Sequence, residues 1–223
     1  MNARSLVAEG LGTAALLTVV VGSGIMAETL SGGNTGLALL ANAVATGLGL
    51  AVLIFALIEV SGAHFNPAVT LSMCLAGRLT WREAPAYVAV QLVGGVAGVL
   101  LAHAMFGEAL LQWGIKPREG SHLLISEAVA TFGLLFAIFA GVRRNPAAIP
   151  WLVGAYITAA YWFTASTSFA NPAVTVARAF TNSFAGIGWP HVGGFVAAQL
   201  VGALLATGVC GWLLADRDEV ERS

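Results

Sequence analysis

The five residues NPAVT occur twice in this chain, at Asn66–Thr70 and again at Asn171–Thr175. A short apolar segment of 11 or 10 residues follows each Asn-Pro, at Pro67–Gly77 and Pro172–Thr181. A helix of that length spans about 15 Å, half of a bilayer core, so neither segment can cross a membrane alone. Proline is favoured at the first helical position, and asparagine is among the best N-caps. The repeat therefore predicts two half-helices that are capped by the two asparagines.

The composition places these half-helices in a membrane protein. Of the 223 residues, 58% are hydrophobic and 9% are charged, whereas a soluble domain carries about 25% charged residues. The net charge of −1 gives no reason to expect a nucleic-acid partner. Glycine contributes 27 residues, and small residues allow membrane helices to approach closely. A tightly packed helical bundle in a lipid bilayer is expected.

Six apolar segments are long enough to cross the bilayer as helices. They lie at about 5–28, 36–60, 83–106, 121–142, 149–168 and 190–215. The sequence thus predicts an all-α membrane protein with six transmembrane helices and two re-entrant half-helices. Residues 1–223 form a single transmembrane domain in this interpretation, and 216–223 are a short polar C-terminal tail.

The repeat extends over both halves of the chain, about residues 1–110 and 121–215. AEGLGTAALL in the first half matches SEAVATFGLL in the second, and VAVQLVGG matches VAAQLVGA. These matches pair four polar side chains, Glu9 with Glu127 and Gln91 with Gln199. With three spans in each half, the second copy enters the membrane from the opposite side. Such an inverted repeat places a central site near the midplane, where the halves meet.

The distribution of basic residues predicts the orientation of the six spans. One side collects seven arginines, namely Arg4, Arg78, Arg82, Arg143, Arg144, Arg217 and Arg222. The other side holds three basic residues, Lys116, Arg118 and Arg178. Because basic residues accumulate on the cytoplasmic side, both termini are expected there.

Inversion brings the N-termini of the two half-helices together in the middle of the membrane. Each helix end carries a charge of roughly +0.5, so cations and protons meet an electrostatic barrier there. Neutral solutes that accept hydrogen bonds meet no such barrier, and the amides of Asn66 and Asn171 can point at them. The pattern favours a passive channel for water and small uncharged solutes.

Two other classes of function fit the sequence less well. A coupled secondary transporter also uses inverted repeats and broken helices, but it needs unpaired carboxylates near the midplane. Only Glu9 and Glu127 qualify, and their symmetry favours a bracing role. In that role each carboxylate accepts backbone N–H bonds from the loop that carries the Asn-Pro-Ala (NPA) motif of its own half. Gln91 and Gln199 are expected to support those loops or neighbouring helices. For an enzyme we find no nucleophile–base cluster, metal ligands or cofactor motif, so no catalytic residue is predicted.

Two stretches resemble the signatures of the aquaporin, or major intrinsic protein, family: SGAHFNPAVT at Ser61–Thr70 and SFANPAV at Ser168–Val174. The resemblance covers nearly the whole chain. It implies a homotetramer with one pore in each protomer and the same bracing role for the two carboxylates. It also implies pore-lining NPA motifs at Asn66, Pro67, Ala68, Asn171, Pro172 and Ala173.

The chain departs from the family pattern at the outer constriction, or selectivity filter. The second motif of the family usually reads Asn-Pro-Ala-Arg, and here Val174 stands in place of the arginine. Family spacing implies Thr46, Ser168 and Ala159 for the other filter positions, with Tyr161 as the alternative to Ala159. The filter would be wide and weakly polar with Ala159, and narrower and partly aromatic with Tyr161.

An arginine-free filter resembles that of bacterial relatives thought to pass bulkier neutral molecules. These include polyols such as glycerol, urea and metalloid species such as arsenic compounds. The resemblance implies a bacterial inner (plasma) membrane protein.

Two further residues are candidates for lining the pore or its vestibule. Arg178 lies four residues after Val174, on the same helix face and about 6 Å nearer the outer mouth. It either replaces the missing arginine, which would rebuild a water-selective filter, or is a helix C-terminal charge anchored at the membrane interface. His64, two residues before Asn66, is predicted to line the cytoplasmic half, and its counterpart in the second half is Phe169.

Overall fold

The computed structural model describes residues 2–215, and this part of the chain folds as a bundle of α-helices. The helices are α1 (Ala3–Leu30), α2 (Thr35–Ser61), α3 (Pro67–Leu75), α4 (Ala84–Phe106), α5 (Ser121–Arg144), α6 (Ile149–Phe163), α7 (Pro172–Ala177) and α8 (Trp189–Leu213). Short 3₁₀ turns precede α6 and follow α7, at Pro146–Ala148 and Arg178–Phe180. The predicted tail 216–223, with Arg217 and Arg222, lies outside the described residues.

Within residues 2–215, five helices are long and apolar enough to cross a membrane by themselves: α1, α2, α4, α5 and α8. The remaining predicted span, 149–168, extends too far at its C-terminal end. The helix α6 has 15 residues and stops at Phe163. The backbone turns extended at Thr164, with φ −112° and ψ 134°, and Thr167 and Ser168 then take positive φ values. The last five predicted residues therefore belong to the loop that leads into the second NPA motif.

The half-helices α3 and α7 are shorter than predicted, with nine and six residues. The first ends because Arg78 and Leu79 both donate their backbone N–H to the Met73 carbonyl, which folds the chain back. The second tightens into the 3₁₀ turn that begins at Arg178.

The two halves pack in matching ways. Helix α1 lies against α4, and its counterpart α5 lies against α8. Two glycines three residues after the paired glutamines permit this approach. A Cβ on Gly94 would lie 2.3 Å from the Gly10 carbonyl oxygen, and one on Gly202 would lie 2.3 Å from that of Ala128. The glycine-rich composition thus reflects close contact between helix backbones.

The outer surface of the bundle is apolar, while polar side chains lie inside. Leu11, Phe55 and Val93 are each at least 65% exposed, whereas Glu9 and Glu127 are 0% exposed. This inside-out distribution suits a lipid environment and confirms the prediction of an all-α membrane protein. We call the end of the bundle where α1 begins the inner end, and the end that carries the turn between α1 and α2 the outer end.

Candidate functional site

The N-termini of the two half-helices meet in the centre of the bundle. The Asn66 side-chain oxygen accepts the Ala68 N–H at 2.9 Å, and the Asn171 oxygen accepts the Ala173 N–H at 2.9 Å. The asparagines are thus the N-caps of α3 and α7, as the sequence suggests. Each asparagine also reaches the other half, because its amide nitrogen donates to a backbone carbonyl there at 2.8 Å. An amide nitrogen carries two hydrogens, so each asparagine keeps one N–H for a solute.

The carbonyls that accept these crossed bonds belong to residues with a left-handed backbone. They are Phe65, with φ 49°, and Ala170, with φ 48°, each directly before its asparagine. A left-handed conformation costs a non-glycine residue about 1–2 kcal/mol. The bundle must therefore hold both residues in place from outside.

Glu9 holds the first of these loops. One carboxylate oxygen accepts the His64 N–H at 2.9 Å and the Ser61 hydroxyl at 2.6 Å. The other accepts the Phe65 N–H and the Gln91 amide, both at 2.8 Å. Four donors satisfy this buried charge, which would be costly without them.

Glu127 holds the second loop in the same way. Its carboxylate accepts the Phe169 and Ala170 N–H groups, each at 2.9 Å, and the Gln199 amide at 2.6 Å. Gln199 also donates to Thr175 at 2.8 Å. Both carboxylates thus accept hydrogen bonds from their own loops, whereas a coupled transporter needs unpaired carboxylates.

A cavity of about 540 Å³ runs past the two asparagines, and both halves contribute to its wall. Its inner end is polar, with Ser5, Arg78, Glu83 and Tyr87. Apolar side chains from four helices form most of the wall, namely Leu16, Val20, Leu50, Ile54, Leu134, Ile138, Val153 and Ile157. We call this cavity the conduit. It is a mainly apolar passage with a polar centre at the NPA motifs.

His64 lines the inner half of the conduit, at the position that the sequence suggests. A ring nitrogen lies 3.1 Å from the Thr70 hydroxyl oxygen, and the ring packs against Tyr87 with centroids 5.5 Å apart.

The residues predicted for the filter line the conduit, with one correction. Thr46, Ser168 and Val174 line the conduit, and Tyr161 joins them with its hydroxyl 3.4 Å from that of Thr46. Ala159 is exposed on the outside of α6, so its assignment to the filter is wrong. Positions 153, 157 and 161 follow one another at four-residue intervals on the inner face of α6, and position 159 points away from that face.

Arg178 is buried at the outer end of the conduit rather than anchored at the membrane interface. Its side chain is 3% exposed and lines the conduit. Its guanidinium carbon lies 3.4 Å from the centroid of the Phe169 ring, and its Nε donates to the Ala185 carbonyl. Nη1 has no hydrogen-bond partner among the described residues. Arg178 is the C-cap residue of α7, so it does lie at a helix end, but the predicted anchoring at the membrane interface is wrong.

Sequence reasoning missed a second arginine at this end. Arg118, from the loop between α4 and α5, donates to the Ser166 carbonyl at 3.0 Å and to the Gly186 carbonyl at 3.1 Å. Its guanidinium carbon lies 4.6 Å from the centroid of the Phe169 ring, and burial lowers the pKa of Arg118 to about 10. The only sequence signal was its position in an outer loop, which does not distinguish a half-buried arginine from a solvated one.

Two capped half-helices that enter from opposite faces and meet beside a conduit define a membrane channel with aquaporin-like architecture. The family model described as Major intrinsic protein matches residues 1–148. The chain belongs to the major intrinsic protein family, which confirms the predicted membrane channel and the assignment to a non-enzymatic class.

Relatives named as channels support this assignment. The aquaglyceroporin AqpS of Rhizobium meliloti (strain 1021) is 55% identical over 211 residues, which cover 95% of this chain and 90% of that protein. The aquaporin NIP1-3 of Oryza sativa subsp. japonica is 33% identical over 210 residues, which cover 90% of this chain and 72% of that protein. The X-ray structure of the aquaglyceroporin from Plasmodium falciparum matches with a TM-score of 0.76 over 99% of both chains. At 19% identity, this last likeness shows the fold alone.

Proposed function

We propose that the protein is a passive channel for water and for small uncharged solutes, with glycerol and other polyols as its main organic substrates. The outer constriction carries this proposal. Thr46, Tyr161, Ser168 and Val174 all line the conduit, and the Tyr161 hydroxyl lies 3.4 Å from that of Thr46, so hydroxyl and apolar groups are both present there. A polyol has hydroxyls along one edge and C–H groups along the other, so it can hydrogen-bond and pack there at once. The resemblance to a bacterial aquaglyceroporin supports the same substrate class.

Urea and neutral metalloid species, including arsenic compounds, belong to the same proposal as secondary solutes. They are small and uncharged, and they both donate and accept hydrogen bonds. Val174 is shorter and less polar than the arginine it replaces, so the constriction leaves room for them.

Ions are excluded at two levels in this proposal. The opposed N-termini of α3 and α7 place partial positive charge at the centre of the conduit. The apolar wall offers an ion no replacement for its hydration shell, so entry requires uncompensated desolvation.

A water-selective channel is the second candidate, because Arg178 is buried against the conduit. In that case Arg178 would rebuild the constriction that lacks an arginine at position 174. Its Nε is already bonded to Ala185 and its guanidinium is stacked on Phe169. These contacts hold the charge toward the outer wall and favour the polyol channel.

We further propose that the chain works as a homotetramer in a bacterial inner membrane, with both termini in the cytoplasm. The repeats at about 1–110 and 121–215 would act as halves of one channel domain in each protomer. Large exposed apolar side chains on the outside of the bundle support contact with lipid and with neighbouring protomers.

A permeability panel in proteoliposomes tests these proposals. Stopped-flow light scattering would measure water, glycerol, urea and arsenite entry beside empty liposomes, with membrane conductance recorded in parallel. We expect water, glycerol, urea and arsenite all to enter faster than they enter empty liposomes, with no added conductance. Fast water with glycerol at the empty-liposome rate would favour the water-selective channel. Flux that saturates at low solute concentration or follows a proton gradient would point to a transporter instead.

A further inference from the structure

A second cavity, of about 280 Å³, lies at the outer end of the bundle beside the conduit. We call it the outer pocket. Lys116, Arg118 and Arg178 line it, and Arg178 lines the conduit as well. Among the described residues, nine line the outer pocket and none of them is acidic. Three cationic side chains therefore meet in a partly enclosed space without a carboxylate in its wall.

One backbone segment, 184–186, holds these three cations. Lys116 donates to the Phe184 carbonyl at 2.9 Å, Arg178 donates to that of Ala185, and Arg118 donates to that of Gly186 at 3.1 Å. Three successive carbonyls thus fix three positive charges side by side. Carbonyl oxygens carry only partial charge, so they orient the cations without neutralising them.

Aromatic rings complete the support. Lys116 lies 4.8 Å from the centroid of the Phe184 ring, and both arginines stack on Phe169. Burial lowers the pKa of Lys116, and the charges of Arg118 and Arg178 lower it further. Glu28 acts in the opposite sense on this pKa, but its carboxylate accepts the Phe184 N–H at 3.1 Å and does not line the pocket. The cations repel one another, and a bound anion would relieve that repulsion.

The cations keep hydrogen-bond donors for such a ligand. Lysine has three N–H donors and arginine has five. The contacts above use one donor of Lys116, two of Arg118 and one of Arg178. The planar fork of a guanidinium matches two oxygens of one oxyanion, a geometry that a spherical halide cannot provide.

From this arrangement we propose that the outer pocket is a binding site for a small tetrahedral oxyanion of the phosphate or sulfate class. Lys116 and Arg118 are the principal ligands, and Arg178 joins them at the wall shared with the conduit. An oxyanion bound here lies beside the entrance to the conduit, so it slows the entry of solutes from the outer side.

Equilibrium dialysis of the full-length protein in detergent against radiolabelled inorganic phosphate tests the site, with sodium chloride keeping the ionic strength constant. We expect saturable binding, weakened at least tenfold by Arg118→Gln and by Lys116→Gln. Arg118→Lys retains the charge and should recover part of the affinity. Arg82→Gln, an exposed arginine at the inner end, is the matched control and should bind like the unaltered chain.

Thermal unfolding of each variant in detergent identifies folded protein, so that only folded variants are compared. No saturable phosphate binding by the unaltered chain would overturn the site. If folded Arg118→Gln binds phosphate as tightly as the unaltered chain, the site is also overturned. The three cations would then serve only to hold segment 184–186 in place. Neither result depends on solute flux, so the polyol-channel proposal is tested separately.

Glycerol entry into proteoliposomes, with phosphate replacing chloride outside, tests the position of the site. We expect at least a twofold slower entry in the unaltered chain and no slowing in Arg118→Gln. Phosphate binding without slower entry would refute the placement beside the entrance.

Discussion

Replacing Glu127 with glutamine removes a buried negative charge while keeping the size of the side chain. The carboxylate accepts three hydrogen bonds, from the N–H groups of Phe169 and Ala170 and from the Gln199 amide. A hydrogen bond to a charged group contributes about 1.5–3 kcal/mol, and a neutral one about 1 kcal/mol. The substitution therefore weakens each bond by about 1 kcal/mol, or about 3 kcal/mol in all.

A glutamine amide also has only one oxygen, so its NH₂ group must face at least one of the former donors. For a chain of this size, about 3 kcal/mol corresponds to an unfolding midpoint roughly 6–12 °C lower. Circular dichroism of the purified protein in detergent measures this midpoint.

Two variants calibrate the result. Glu9→Gln removes a carboxylate with four donors, so its midpoint should fall at least as far. Glu59→Gln changes an exposed carboxylate on α2 and should alter stability by less than about 0.5 kcal/mol. If Glu127→Gln unfolds at the same temperature as Glu59→Gln, the bracing role is refuted. A stable Glu127→Gln that loses proton-linked uptake would instead identify a relay carboxylate.

Three further substitutions test the filter and the packing. Val174→Arg should slow the entry of glycerol at least tenfold more than the entry of water in stopped-flow assays. Its control, Val174→Leu, should change both rates by the same factor. If Val174→Arg slows glycerol and water equally, the result counts against a filter at this level. Tyr161→Ala should speed the entry of longer polyols and Tyr161→Phe should not, and unchanged rates in both would remove Tyr161 from the constriction. Gly202→Leu should prevent stable folding in detergent, because a Cβ at position 202 meets the Ala128 carbonyl. Gly208→Leu serves as the control and should fold normally, because the space around Gly208 is open.

The centre of the protein could be predicted because its geometry depends on a few residues close in sequence. An Asn-Pro pair is a strong local signal for a capped helix start. The second copy of the motif then indicated an inverted repeat, and aligning the two halves paired Glu9 with Glu127. Both carboxylates do reach the N–H groups just before their own asparagine.

The outer end could not be predicted in the same way. The choice between Ala159 and Tyr161 depends on where α6 stops, and only the extended backbone at Thr164 settles that. The burial of Arg178 depends on segment 184–186 folding back over it. These contacts join separate stretches of chain, and no short motif encodes them.

The centre of the conduit keeps the symmetry of the repeat, whereas the positions two residues before each asparagine do not. At the centre, each asparagine bonds a carbonyl of the opposite half, so a change in one copy would break a bond held by the other. Two residues before the asparagine this constraint is absent, and the copies diverge: His64 bonds Thr70 at the inner side, whereas Phe169 supports two arginines at the outer side. The partial positive charge of the two helix ends, which we propose helps to exclude ions, belongs to the symmetric centre. Solute choice and anion binding are therefore expected to depend on the outer residues that broke the symmetry.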